Sequence, residues 1–195
     1  MEQPSRFVVI CDRDGVINVN HDDFVKSIAE LEMIPGSDHA IAHLTQMGAL
    51  VIVVTNQSGI DRGTFTETDL ALVNGYIMGW VAAKGGTIAR IYHCPHDKFR
   101  RCDCRKPAPG LIEQAIRDFG FDPTKAFVIG DREADIALGE AVGATTILVL
   151  TGHGKEVQTS GRIAANHVAW DLLDASSMIR ELVETREMSL EKETV

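Results

Sequence analysis

The stretch Arg6-Phe7-Val8-Val9-Ile10-Cys11-Asp12-Arg13-Asp14-Gly15-Val16-Ile17-Asn18 decides how the rest of the chain is read. Phe7 to Cys11 is a continuous apolar run rich in β-branched residues, the pattern of a strand buried on both faces. It stops at two carboxylates, Asp12 and Asp14, with Gly15 directly behind them. Such a strand delivers its acids to the C-terminal edge of a parallel sheet, where open α/β sheets bind ligands. Two acids so close repel each other, and a bound cation relieves the repulsion. Mg²⁺ is suited to this, because it takes one or two carboxylates together with phosphate oxygens.

Further along, strands and helices alternate. Pro35-Gly36-Ser37 opens a helix with Ser37 as its expected N-cap and Ile41, Leu44 and Met47 on one face. Leu50 to Val54 reads as a second buried strand, ending at Thr55-Asn56-Gln57-Ser58-Gly59. Strand, helix, strand is a parallel unit, so Thr55 is expected at the same edge as Asp12. Thr66 caps a helix carrying Leu70, Val73, Ile77 and Trp80, and Thr87 to Tyr92 reads as a third strand. A helix over Gly110 to Phe119 and a short strand over Ala126 to Ile129 follow, the strand ending at Gly130-Asp131. A helix closed by Gly143, a fifth strand over Thr145 to Leu150, an edge strand at Val168 to Trp170 and a terminal helix opened by Asp171 complete the pattern. Thr151 to Gly161 is Gly-rich and is expected as a mobile loop. The reading is an α/β, Rossmann-like parallel sheet with helices on both faces, one domain over 1–186 and a charged, frayed tail at 187–195.

Composition bounds the function. The chain has 195 residues, 45% of them hydrophobic, and a net charge of −9. An acidic balance argues against nucleic acid or an anionic membrane as general partners, since both select basic surfaces. No apolar run approaches the length of a membrane span, and Met1 to Ser5 does not read as a signal peptide. The expectation is a cytoplasmic monomer acting on a small molecule.

The strand ends bring Asp12, Asp14, Thr55, Lys106, Asp131 and Asp135 to one edge. Phosphoryl transfer needs such a set, because catalysis there rests on charge neutralisation and in-line positioning. Asp12 is the expected nucleophile and would form an aspartyl-phosphate. Asp14 would protonate the departing alkoxide and then deprotonate the hydrolytic water. Mg²⁺ would sit between Asp12, Asp131 and a phosphate oxygen, with a backbone carbonyl near Asp14 as a further ligand. The Thr55 hydroxyl and the Lys106 ammonium would hold the other phosphoryl oxygens.

Cys94-Pro95-His96, five further residues, then Cys102-Asp103-Cys104 make a second signal. Three thiolates and an imidazole form a closed tetrahedral set for structural Zn²⁺, with His93 as a rival ligand. A metal there would pin the loop so that Arg105 and Lys106 face the phosphate. Lys98, Arg100, Arg101, Arg105 and Lys106 also form a basic island, which would suit a second anion.

The motifs Asp12-x-Asp14-Gly15, Thr55-Asn56, Lys106-Pro107 and Gly130-Asp131-x-x-x-Asp135 resemble, in order, the four signatures of haloacid dehalogenase (HAD) superfamily phosphatases. The resemblance implies a five-strand parallel core with the nucleophile strand central, and the chemistry above. The intervals from Asp14 to Thr55 and from Ser58 to Lys106 are too short for a cap domain, so an open site is expected.

Within the superfamily, a zinc loop without a cap resembles two families, the heptose bisphosphate phosphatases and the histidinol-phosphate phosphatases. Asp12 to His21 and Thr55 to Gly63 look like the former, which implies loss of the C7 phosphate from a heptose 1,7-bisphosphate. The short interval between His96 and Cys102 and the pair Asp22-Asp23 cut the other way. By motif, the expected substrate contacts are Asn20, His21, Asp22, Asp23, Thr55, Asn56, Gln57, Ser58, Arg105, Lys106 and Arg132.

Overall fold

The computed structural model describes residues 7–193. In chain order the elements are β1 (Phe7–Cys11), α1 (Ser37–Gln46), β2 (Ala49–Asn56), α2 (Glu67–Ala82), β3 (Arg90–Cys94), α3 (Gly110–Phe119), β4 (Phe127–Gly130), α4 (Glu133–Ala141), β5 (Thr145–Val149), α5 (Gly154–Ser160), β6 (His167–Ala169) and α6 (Leu172–Glu193). The six strands form one sheet in the order β3-β2-β1-β4-β5-β6, with every pairing parallel.

Alternation along the strands sorts the core into two halves. Val9 and Cys11 of β1 pack with Ile41 and Leu44 of α1, Val73 and Ile77 of α2, and Ala175 and Ile179 of α6. Val8 and Ile10 point the other way, toward Leu111, Ile112 and Ala115 of α3 and Leu138 of α4. A strand buried on both faces needs apolar side chains at every position, and β1 supplies them.

The register sets the height at which each strand end emerges. Cys11 lies opposite Val53 on one side and Ile129 on the other. Asp12, Thr55 and Asp131 therefore leave three adjacent strands at nearly the same level. Between β1 and β2 the described chain forms only a short 3₁₀ turn at Ile28–Glu30 and α1, so no cap covers that edge.

Three expectations are corrected. Ser37 is the first residue of α1 rather than its cap. Gly36 takes the cap position at φ +84°, while Ser37 Oγ donates to the Ile17 and Ile34 carbonyls at 2.8 and 2.9 Å. The third strand starts later and runs to Cys94, because Thr87 N–H is taken by Thr45 Oγ1 of α1. The segment expected as a mobile loop carries α5, anchored where Val157 packs with Ile136 and Leu148. The charged tail expected at 187–195 is helical as far as Glu193, and its last two residues lie outside the described residues.

Candidate active site

Asp12 is buried at the end of β1, and its Oδ1 accepts from Lys106 Nζ at 2.9 Å and from Arg13 N–H at 2.6 Å. Its Oδ2 has no hydrogen-bond partner among the described residues. The same ammonium reaches Asp135 Oδ1 at 2.7 Å and the Val54 carbonyl at 2.8 Å. Lys106 is thus a buried cation fixed by three acceptors. Burial works against its charge, but Asp12 and Asp135 outweigh that and raise its pKa.

Asp131 is fully buried beside this pair. Its Oδ2 accepts from Asn20 Nδ2 at 2.9 Å and from His153 N–H at 2.8 Å, while its Oδ1 is buried with no partner. One oxygen from each of Asp12, Asp131 and Asp135 lies within 4.8 Å of the others. Three carboxylates against one lysine leave excess negative charge. Burial, partly offset by Lys106, pushes Asp12 up to about 6, and burial raises Asp131 and Asp135 as well. A hard divalent cation fits this donor set, because it would take the orphaned Asp131 oxygen and offset the excess charge.

The Asp14 side chain lies outside that cluster. Arg13, completely buried, grips it with Nη2 at 2.9 and 3.0 Å and Nε at 3.2 Å, and its Nη1 donates to Asn74 of α2 at 3.1 Å. Asn18 Nδ2 and Gln57 Nε2 donate to Asp14 at 2.8 and 2.7 Å. Burial pulls the Asp14 pKa upward, but the Arg13 charge and these donors outweigh it and hold the group low. At rest Asp14 is therefore a carboxylate, in its proton-accepting form.

These groups open into a cavity of about 360 Å³ lined by Asp12, Asp14, Asn20, His21, Asp22, Thr55, Asn56, Ser58, Arg105, Lys106, Arg132 and Asp135. Two of the expected substrate contacts are placed elsewhere. Gln57 is fully buried, with Nε2 committed to Asp14 and to Thr55 Oγ1 at 2.9 Å. Asp23 points to solvent and pairs with Lys26 at 3.3 Å. Phe24, which the sequence reading passed over, lines the cavity at φ +62° with its ring edge-on to Phe65.

Beside the cavity, Cys94, His96, Cys102 and Cys104 gather their ligand atoms within 4.8 Å. Cys94 Sγ lies 3.1 Å from Cys104 Sγ and 3.8 Å from Cys102 Sγ, and His96 Nδ1 lies 3.2 Å from Cys104 Sγ. A zinc tetrahedron with bonds of about 2.3 Å has edges of about 3.7 Å, so the donor set fits that ion. The rival His93 is engaged elsewhere, with Nε2 at 2.9 Å from Glu67 Oε2.

A HAD-hydrolase-like family model matches residues 103–175. The D-glycero-β-D-manno-heptose-1,7-bisphosphate 7-phosphatase of Neisseria meningitidis serogroup A is 45% identical over 149 residues, covering 76% of this chain and 80% of that protein. The enzyme of the same name from Pseudomonas putida is 37% identical, covering 90% and 99%. The chain belongs to the heptose bisphosphate phosphatase family. It is a phosphoric monoester hydrolase of the HAD superfamily. Among solved structures, the D,D-heptose 1,7-bisphosphate phosphatase of B. bronchiseptica, complexed with magnesium and phosphate, superposes with a TM-score of 0.86 at 35% identity, covering 90% of this chain and 98% of that one.

Three features of the site have little or no mark in the sequence. Arg13 sat inside the first motif as an unexplained residue. Asn18 and Gln57 gave no sign of meeting at Asp14 from different loops. The turn after β5 reaches Asp131 through His153, although its glycines by themselves predict a mobile loop. Only Arg13 carried a usable signal, as a lone cation between two acids at the end of a buried strand.

Proposed function

We propose that this chain is a Mg²⁺-dependent phosphatase that removes the C7 phosphate of D-glycero-β-D-manno-heptose 1,7-bisphosphate and retains the C1 phosphate as a binding handle. One observation carries the reading: a buried carboxylate, Asp12, lines the cavity with one oxygen held by Lys106 and the other without a hydrogen-bond partner among the described residues. The family relatives supply the sugar.

In the first half-reaction Asp12 Oδ2 attacks phosphorus, the bond to the C7 oxygen breaks, and the departing alkoxide takes a proton from Asp14. Asp14 rests ionised, so it has to gain that proton as substrate arrives. A phosphate dianion beside it adds negative charge and favours the protonated form. In the second half, Asp14 takes a proton from water, which attacks the aspartyl-phosphate and releases inorganic phosphate. Thr55 would donate its hydroxyl to a phosphoryl oxygen, and Lys106, whose three protons rest on Asp12, Asp135 and the Val54 carbonyl, would turn one of them to the phosphoryl group once substrate is bound. Asp12, Asp131 and the backbone near Asp14 would hold Mg²⁺, which when bound offsets charge on the phosphoryl group. Zn²⁺ at the cysteine cluster would keep the 93–105 loop in place. Three thiols in that loop and none in disulfides suit a reducing cytoplasm, and the site is complete within one chain, as a monomer requires.

Arg105 supports the choice of a bisphosphate. It lines both the carboxylate cavity and a neighbouring hollow of about 510 Å³ bordered by Lys98, Arg100 and Arg101. Losing one charge-assisted contact costs about 1.5–3 kcal/mol, or about 10–150-fold. Arg105→Ala should lower kcat/KM for the bisphosphate on that scale, and much less for a simple monophosphate ester. Histidinol phosphate carries a cation where the second phosphate sits and should be a poor substrate. If its kcat/KM exceeds that of the bisphosphate, the heptose reading fails.

A further inference from the structure

The turn after β5 meets the site at one atom, Asp131 Oδ2. His153 donates its backbone N–H there from one side and Asn20 donates Nδ2 from another. Two glycines pack against the same oxygen. A Cβ at Gly15 would lie 2.3 Å from it and a Cβ at Gly152 2.1 Å, and both residues have positive φ, +85° and +53°. Thr151 Oγ1 latches the two turns together by donating to the Gly15 carbonyl at 2.6 Å. The result is a carboxylate with one oxygen fully occupied and the other, Oδ1, buried and bare.

We propose that the Thr151-Gly152-His153 turn is the positioning element for the metal-binding carboxylate. It holds Asp131 Oδ2 so that Oδ1 is the atom offered to a divalent cation. The inference rests on the Mg²⁺ reading above. A buried carboxylate free to rotate would share its oxygens among several donors, and the cation would have to displace one of them. With Oδ2 held by two N–H groups, the carboxylate plane is set before the cation arrives. Outer partners of metal ligands commonly contribute 10–100-fold to affinity. The Thr151 side chain makes no hydrogen bond to the carboxylate and does not line the cavity, so its effect runs through the turn.

The test is calorimetric titration of the purified chain with MgCl₂, with zinc content and urea unfolding measured on the same samples. Thr151→Val keeps the volume and removes the latch, and it should weaken Mg²⁺ binding by about tenfold. Thr151→Ser restores the hydroxyl and should restore the affinity. Gly152→Ala puts a methyl group against Oδ2 and should weaken binding further; if it does not fold, the two Thr151 variants decide. A Thr151→Val chain that loses stability but binds Mg²⁺ within about twofold of the parent overturns the turn's role. A parent chain that binds no Mg²⁺ overturns instead the reading beneath it.

Discussion

The carboxylate cavity and the cysteine loop share Arg105 and Lys106 at their border, yet they are held in place by opposite means. The cavity is assembled from the ends of β1, β2 and β4 and the turn after β5. These segments are far apart in sequence but set at one height by the sheet register. Its side chains are already cross-linked by hydrogen bonds: Lys106 to two carboxylates, Arg13 to Asp14, Gln57 to Asp14 and Thr55. The cysteine site draws its four ligands from one short segment: Cys94 ends β3, and His96, Cys102 and Cys104 lie in the loop between β3 and α3, which among the described residues holds no helix or strand. A site built on a sheet keeps its shape when a ligand or ion is removed. A loop closed by its own side chains depends on whatever joins them.

The comparison predicts that substitutions in the cavity destroy chemistry and spare structure. Asp12→Asn has the largest expected effect, because it removes the proposed nucleophile at nearly constant volume. Turnover should fall to background, with circular dichroism and zinc content unchanged. Activity kept within about tenfold would break the covalent mechanism. Asp14→Asn should follow, slowing both half-reactions by about 10²–10⁴-fold, the usual scale for lost acid–base help. The loss should be smaller for a phenolic ester, whose leaving group needs no proton. Equal losses for phenolic and sugar esters, measured as kcat/KM, which reports the first half-reaction alone, would remove Asp14 from the role of acid.

What the sequence disclosed follows the same division. The strand of Phe7–Cys11 and the residues at strand ends were legible, because continuous apolar runs stopped by acids, Thr or Gly-Asp leave little choice of fold. The cysteine cluster was legible because its spacing is local. Contacts between loops were not. Asn20 and Asp131 are 111 positions apart, and Thr151 and Gly15 are 136 apart, distances over which no local pattern speaks. Thr151 to Gly161 shows the same limit. Its glycines read as flexibility, whereas Gly152 is required by close packing against Asp131 and Val157 anchors the helix that follows.

Smaller and differently shaped effects are expected at the loop. Cys102→Ser removes one ligand from the proposed zinc site. Elemental analysis should fall from about one zinc per chain toward none. Activity in excess Mg²⁺ should drop by up to about 10²-fold, the scale of misplacing a group that holds the reacting phosphate. The unfolding of the sheet should move little. If activity is unchanged after complete removal of zinc, the loop does not position Arg105 and Lys106.

The smallest effect tests whether the two regions are coupled at all. Arg62, from the segment after β2, pairs through Nε with Asp97 of the loop and lies 5.7 Å from the centre of the Phe24 ring at the cavity rim. Asp61 beside it accepts from Asp97 N–H at 3.0 Å and pairs with Arg100 at 2.9 Å. The Arg62 side chain is 44% exposed, so its ion pair should be worth no more than about 1 kcal/mol. Its place matters more than its strength, because it is the link through which a displaced loop would loosen Phe24. Arg62→Ala should shift the melting temperature by only about 2–4 °C. It should raise KM for the bisphosphate several-fold with kcat nearly constant, since Phe24 lines the cavity without bearing a group that takes part in the proposed phosphoryl transfer. The same substitution in the Cys102→Ser background should add little, because the loop end of the link is already free. Fully additive effects on KM would mean that the loop and the rim act independently, and that the loop serves the site only through Arg105 and Lys106.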